Sequence, residues 1–340
     1  MTARLADRTP RMEPAELVSA LVPPPRFDEV RFETYRPDPA EPSQAMALER
    51  LREFASDVSG PRRRRRLFGR APAPSGPTGL YLDGGFGVGK THLLAALWHL
   101  APPPRAVGTF VEYTNLVGAL GFAAAVQALS GHSLVCLDEF ELDDPGDTVL
   151  MSTLLTRLSS AGVRIAATSN TLPGSLGEGR FAAEDFLREI QALAARFEVV
   201  RIDGPDFRHR GLPAAPDPVS PQEAVRWADS VTAATCDDLD ELCAHLATVH
   251  PSRYGALVQG VAAVALTGLH PVADQNVALR LVVLADRLYD REIPVVVSGG
   301  PVGELFTPDL LAGGYRKKYL RSMSRLVALT RDGAALATGR

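Results

Sequence analysis

GLYLDGGFGVGKTHLL, residues 79–94, is the stretch on which the fold of this chain turns. Leu80-Tyr81-Leu82 is a short apolar run that reads as a buried strand. It ends at Gly84-Gly85-Phe86-Gly87-Val88-Gly89-Lys90-Thr91, which satisfies G-x-x-x-x-G-K-[ST] in full, and a helix is expected to follow from His92 to Leu100. A phosphate chain has to be wrapped by backbone N–H groups, and a Cβ would block the close approach, so the four glycines between positions 84 and 89 suit the task. The helix opening at Lys90 aims its unpaired N–H groups and the positive end of its dipole at the same point. Lys90 brings a mobile positive charge to β- and γ-phosphates, and Thr91 offers a hydroxyl ligand to Mg²⁺. Gly84 through His92 are therefore the expected nucleotide-contacting residues, and ATP with Mg²⁺ the expected cofactors.

Downstream, Leu134-Val135-Cys136-Leu137-Asp138-Glu139 is an apolar strand ending in two carboxylates. After a complete phosphate loop this reads as its partner strand. Parallel α/β sheets place ligands at the carboxyl ends of their strands, so Asp138 falls beside the loop. Asp138 is expected to hold Mg²⁺ through water, and Glu139 to orient or deprotonate the attacking water. Asp143, Asp144 and Asp147 read as a solvated loop and helix start. Ile165-Ala166-Ala167-Thr168-Ser169-Asn170 is a further strand, ending in small polar residues. This order of motifs resembles that of AAA+ ATPases. In those proteins an Asn, Ser or Thr at this place contacts the γ-phosphate or the water; Asn170 is the residue chosen here. Many of them also carry an arginine at the end of a helix, just before the next strand, that reaches into a neighbouring subunit's site. Arg196, in Ala195-Arg196-Phe197, stands there, with Arg180 as its competitor. The plainer role for Arg196 is a cation capping a helix C-terminus.

Working outward, strands are expected at 79–83, 108–113, 133–137, 163–168 and 198–202, with helices at 90–100, 115–129, 146–160 and 182–195. Alternation of this kind indicates an α/β fold of the P-loop NTPase, AAA+-like type, a parallel sheet with helices on both faces. Residues 1–70 read as an N-terminal arm, a helix at 43–58 capped by Ser43, and a basic linker; residues 71–210 as the ATPase core; and residues 211–340 as a C-terminal domain, α/β or mainly helical. In that last part a helical stretch is expected over 223–260, then a strand at 261–267, a helix at 273–289 and a strand at 293–298. Leu134–Asn170 and Ala263–Gly299 share an outline, with Thr267 and Gly268 where the first has Asp138 and Glu139. Any βαβ unit looks like this; an old duplication is the alternative.

Composition narrows the class without naming the function. The chain has 340 residues, 46% hydrophobic, with a formal net charge of −4, so the whole molecule has no cationic excess for nucleic acid or anionic lipid. Three scattered cysteines, Cys136, Cys236 and Cys243, make no disulfide framework and suit a reducing compartment. The first residues carry Arg, Asp, Glu and Pro with no apolar core, so no secretory signal is expected. No uncharged apolar run approaches the ~18 residues of a membrane-spanning helix. Arg62–Arg66 are five adjacent cations, which read as a solvated linker or as a contact for nucleic acid or lipid.

Several segments together resemble the ZapE-type AAA+ ATPases, bacterial cell-division proteins with mitochondrial relatives. They are PPPRFDEVRFETYRPDPAEPSQAMALERL (23–51), the phosphate loop, LVCLDEFELDDPGDTVLMSTLLTRL (134–158), VRIAATSNTLP (163–173), FEVVRIDGPDFRHR (197–210), RLYDREIPVVVSG (287–299) and SRL (324–326). The resemblance implies an ATP-hydrolysing, ring-like homo-oligomer that acts on a protein client. A division-ring protein such as FtsZ would be one such client, and the site of action cytoplasmic and peripheral at the division site. Family members carry an arginine-containing LQR motif after the asparagine; here Glu178-Gly179-Arg180-Phe181-Ala182-Ala183 stands there, with Arg180 as a shifted substitute. Arg321 and Arg325 match a family motif and could reach the nucleotide or serve packing, as could Arg208 and Arg210. Val88 and His92 depart from the family's usual residues toward the DnaC-type helicase loaders, which keeps a nucleic-acid-linked ATPase as an alternative. A nucleotide-dependent adaptor with little turnover is another.

Overall fold

The computed structural model describes residues 2–10, 14–60, 79–85, 87–140, 145–172, 191–192, 194–205 and 215–338. The chain divides into two compact units. One comprises Glu13–Pro23 and Phe27–Arg208; the other comprises Met1–Met12, Pro24–Arg26 and His209–Arg340.

The first unit is built on five parallel strands, β1 (Gly79–Gly84), β2 (Arg105–Thr109), β3 (Leu134–Asp138), β4 (Arg164–Ser169) and β5 (Phe197–Ile202), in the spatial order β2-β3-β4-β1-β5. Its helices are α1 (Pro14–Ser19), α2 (Pro42–Ser59), α3 (Lys90–Leu100), α4 (Phe110–Leu120), α5 (Phe122–Leu129) and α6 (Pro145–Ser160). Side chains alternate across the pleat. Leu80, Leu82, Cys136 and Ala166 pack with Leu51 and Phe54 of α2 and Leu93 and Leu97 of α3. Tyr81, Val135, Leu137 and Ala167 face the other way, onto Phe110, Leu116, Leu154 and Leu158 of α4 and α6. The sheet is thus covered on both faces. The register sets Leu82 beside Thr168 and Ala167 beside Leu137, so β1, β3 and β4 end at a common edge.

Three expectations change here. The run Phe110-Val111-Glu112-Tyr113 was expected as strand but opens α4. Thr109 and Glu112 form a capping box, with the Glu112 carboxylate accepting from the Thr109 N–H at 2.7 Å and the Thr109 hydroxyl at 3.0 Å, and this local bond outweighs the strand propensity of the run. The helix expected at 115–129 is two, parted at Gly121. Ser43 is not the cap of α2. Pro42 takes the first helical position, where its missing N–H matters least, and the Ser43 hydroxyl instead accepts the Asp203 N–H at 2.9 Å. The buried stripe of α2 includes Gln44, Ala47, Leu48, Leu51 and Phe54, while Ala45 is exposed. Arg50 ties this helix to β5 through a two-pronged bond to Glu198, Nε to Oε1 and Nη2 to Oε2, both at 2.7 Å.

The second unit holds three parallel strands in the order β6 (Ala234–Asp238), β7 (Ala263–Leu269) and β8 (Val295–Gly299). Its helices are α7 (Pro221–Ser230), α8 (Leu239–Thr248), α9 (Tyr254–Leu257), α10 (Gln275–Asp290), α11 (Pro308–Ala312) and α12 (Arg316–Thr338). It is α/β by architecture, a three-stranded parallel sheet among helices that hold more of its residues than the strands do. Strand β6 interrupts what was expected as continuous helix over 223–260. Its sequence, Ala-Thr-Cys-Asp-Asp, has little strand propensity. Buried Asp237 is accommodated because it accepts the N–H groups of Leu5 and Ala6 at 3.0 and 2.9 Å, and Ala3 bridges to Thr235 alongside. Partners more than 200 residues away decide this strand.

Arg321 and Arg325 both face Asp286 across the α10–α12 contact, the first at 2.9 Å, with side chains 6% and 15% exposed. Burial alone would raise the Asp286 carboxyl, but Arg321, Arg325 and Arg287 outweigh it and hold the group below its ordinary 3.8. A carboxylate depressed in the folded state gives stability that is fully present above 3.8 and is lost as the pH falls from there toward the folded value. Asp286→Asn removes the charge facing both arginines. Its expected cost is about 3 kcal/mol, measured by denaturant unfolding at neutral pH, and the variant's stability should fall less than the wild type's on acidification.

Candidate nucleotide site

At the carboxyl end of β1 the chain turns through Gly84–Gly89 into α3. Gly87 and Gly89 have φ of 77° and 91°, the left-handed region that L-residues avoid. A Cβ on Gly89 would also meet the Tyr35 ring at 2.5 Å. The Lys90 ammonium folds over the loop and donates to the Gly84 and Gly85 carbonyls, both at 2.6 Å, and to Asn170 Oδ1 at 2.8 Å. Asn170 follows β4 directly, and β4 lies between β1 and β3.

The Thr91 hydroxyl lies 3.1 and 3.2 Å from the two Asp138 oxygens. The pair presents oxygen donors only, the set that a hard cation such as Mg²⁺ takes alongside phosphate oxygens and water. Glu139, next in the chain, has φ 54°. A non-glycine residue held in that region costs on the order of 1 kcal/mol or more and persists only where its surroundings enforce it. Thr168 enforces it. Its hydroxyl donates to Asp138 Oδ1 at 2.5 Å and accepts the Glu139 N–H at 3.0 Å, and its carbonyl accepts the Phe140 N–H at 2.7 Å. Thr168 was read from sequence only as part of a polar strand end.

A second group escaped sequence reading altogether. Residues 31–44 line the outside of the loop. The Tyr35 hydroxyl donates to the Val88 carbonyl at 2.9 Å, and burial raises its pKa to about 12. His92 turns its ring to this segment, with Nε2 3.0 Å from the Thr34 hydroxyl and 3.1 Å from the Arg31 carbonyl. A carbonyl only accepts, so Nε2 carries the proton of the neutral ring. Burial lowers the His92 pKa, and the bond to Arg31 opposes that in part. Gln44 reaches the Asp203 carbonyl at 2.9 Å, beside the loop. The only sequence sign of these contacts was that residues 23–51 belong to a family-like segment.

Arg196 stands elsewhere. Its carbonyl accepts the N–H of Gly79, at the start of β1, whereas the loop leaves the end of that strand. Six residues of strand separate the two, roughly 17 Å at ~3.3 Å per residue. The structure therefore gathers Lys90, Thr91, Asp138, Glu139 and Asn170 and leaves Arg196 at the opposite edge of the sheet. Phe86, Arg180, Arg208, Arg210 and Arg62–Arg66 lie outside the described residues.

The profile of the AFG1-like ATPases matches residues 12–232 and 223–335. The chain belongs to the AFG1-like ATPase family. This agrees with the resemblance to ZapE-type AAA+ ATPases drawn from the quoted segments. The Escherichia coli K12 cell division protein ZapE is 26% identical over 300 residues, covering 73% of this chain and 76% of that protein. An uncharacterized protein of Schizosaccharomyces pombe is 29% identical over 155 residues, 40% of this chain and 34% of that one. Lactation elevated protein 1 homolog B of Danio rerio is 26% identical over 170 residues, 42% and 33%. The chain thus spans about a third of the length of these two eukaryotic relatives. Among solved structures, domain III of the Thermotoga maritima replication initiation protein DnaA is 18% identical with a TM-score of 0.38, covering 54% of this chain and 69% of that chain. DnaI is 18% identical with a TM-score of 0.40, covering 53% and 94%. Likeness at that level bears on neither substrate nor partner. No helix among the described residues of this AFG1-like ATPase is long and apolar enough to cross a membrane.

Gly89→Ala should deform the loop, because the new Cβ meets both a left-handed backbone, worth roughly 1–2 kcal/mol, and the Tyr35 ring. Lower thermal stability together with lost nucleotide binding is the expected result. Gly118→Ala is the control. Nothing lies within 4 Å of its added Cβ, and alanine within helix α4 should be neutral or stabilising by about 0.5–1 kcal/mol.

Proposed function

We propose that this AFG1-like ATPase binds ATP with Mg²⁺ at Gly84–Thr91, hydrolyses it by attack of water on the γ-phosphate, and works as a homo-oligomer that remodels a protein client. The observation that supports this most is the convergence of Lys90, Thr91, Asp138, Glu139 and Asn170 at one strand edge. The three acceptors now held by Lys90 are all oxygens, and phosphate oxygens can take their place. Thr91 and Asp138 would hold Mg²⁺, which when bound neutralises charge between β- and γ-phosphoryl oxygens. Glu139 would accept the proton of the attacking water. Asn170, released from Lys90, would align that water or the γ-phosphate. Arg196, far from its own subunit's loop, would complete a neighbour's site in a ring-like assembly. Because the relative in E. coli is named a cell division protein, the client proposed is a protein of the division apparatus, an FtsZ-like polymer included, met in the cytoplasm at the division site.

Lys90→Ala should abolish nucleotide binding with the fold intact by circular dichroism. Glu139→Gln keeps size and hydrogen bonding but removes the base. It should bind nucleotide as the wild type does while turnover falls by about 10²–10⁴. Collapse of affinity in the second variant would instead make Glu139 a structural group or a metal ligand. The same slow variant, loaded with ATP, is the bait for identifying the client.

The role of Arg196 is tested by mixing. Arg196→Ala should leave nucleotide binding unchanged and cut turnover by about 10³-fold or more. Combined with Lys90→Ala subunits it should regain part of the activity, since one subunit supplies a working phosphate site and the other a working arginine. No rescue where mixed oligomers are shown to form would leave Arg196 a helix cap.

A further inference from the structure

We propose that Thr168 is a positioning residue that holds both Asp138 and Glu139 in their working arrangement. The proposal rests on the nucleotide-hydrolysing reading of the site. Three bonds from one residue carry it. The Thr168 hydroxyl donates to the carboxylate of Asp138, the group that also receives the Thr91 hydroxyl. The same hydroxyl oxygen accepts the N–H of Glu139. The Thr168 carbonyl accepts the N–H of Phe140. Glu139 sits between those last two bonds with φ 54°.

The geometry explains why a threonine is needed. Strand β3 has delivered Asp138 to its end, and the next residue must turn sharply if its side chain is to share the same opening. Regular strand geometry would send successive side chains to opposite faces. A left-handed residue breaks that alternation, at a cost for a glutamate that the two flanking Thr168 bonds can offset. Thr168 lies one strand over, beside Leu82 of β1, and is 1% exposed. Its hydroxyl has one proton and two lone pairs. The proton goes to Asp138 and one lone pair takes the Glu139 N–H, so a single group fixes the carboxylate orientation of one residue and the backbone of the next. Valine has the same shape and the same preference for a strand, but neither donates nor accepts.

The test compares Thr168→Val and Thr168→Ser in the full chain, using amide exchange, nucleotide affinity with and without Mg²⁺, and steady-state kinetics. In nucleotide-free and metal-free protein, the Glu139 amide of the valine variant should exchange faster while the amides of β1 and β4 keep their protection. Metal-free affinity for a fluorescent ATP analogue should match the wild type. Turnover should fall about 10–100-fold, the range for groups that orient a metal ligand, with KM little changed, and the serine variant should recover most of it. A purely structural threonine would loosen the whole sheet and give no such split between kcat and KM. If the valine variant does not fold, Thr168→Ala against Thr168→Ser carries the same comparison. A wild type that binds and hydrolyses ATP while its valine variant matches it in kcat and in Glu139 exchange overturns the proposal alone. A wild type that binds no nucleotide overturns the reading of the site and the proposal with it.

Discussion

Strand β4 lies between the strand that carries the phosphate loop and the strand that carries the carboxylates, and the rest of the site depends on that spacing. Parallel neighbours stand about 4.8 Å apart, so β1 and β3 are held roughly 10 Å from each other. The gap separates the loop closed by Lys90 from the carboxylates that follow β3. It also decides what lines the gap. Thr168 of the intervening strand meets Asp138 and Glu139, and Asn170, just past its end, meets Lys90. All five strands run in one direction, so every strand that carries a polar end brings it to this edge. Helices on both faces bury the apolar remainder.

Around this edge the polar groups restrain one another in pairs. Lys90 is held by two loop carbonyls and Asn170, and Asp138 by the hydroxyls of Thr91 and Thr168. On its outer side the loop is held by Tyr35 at the Val88 carbonyl, and His92 and Gln44 tie the covering segment to α3 and to Asp203. A loop with left-handed glycines would otherwise have many accessible shapes, and fixing it before ligand arrives lowers the ordering cost of binding. In the other unit the arginines that a sequence motif marks as nucleotide candidates, Arg321 and Arg325, are matched to Asp286 instead, and hold α12 to α10.

Both units carry a left-handed residue near the carboxyl end of a strand. Glu139 follows β3 at φ 54°, whereas Gly268 lies inside β7 at φ 69°, where its pairing with β8 shifts register. The left-handed Glu139 is flanked by the two Thr168 bonds to its own N–H and to that of Phe140. Gly268 adopts its left-handed angle without the strain of a side chain.

The phosphate loop, the paired carboxylates and Asn170 were legible in the sequence because each is a local pattern. A strand, a run of glycines and a helix start are contiguous, and contiguous residues determine their own backbone geometry. Most strand and helix positions of the core were legible for the same reason. The start of α4 was misread because a capping bond between Thr109 and Glu112 outweighed propensity, and β6 was missed because Asp237 is satisfied by Leu5 and Ala6. Strand order, the Thr168 bonds and the cover formed by residues 31–44 were not legible at all. Tyr35 and Val88 are 53 residues apart, and Thr168 and Asp138 are 30 apart. A hydroxyl's partner at such separations is set by which strands pair and which faces close, and no local spacing in the chain records that choice.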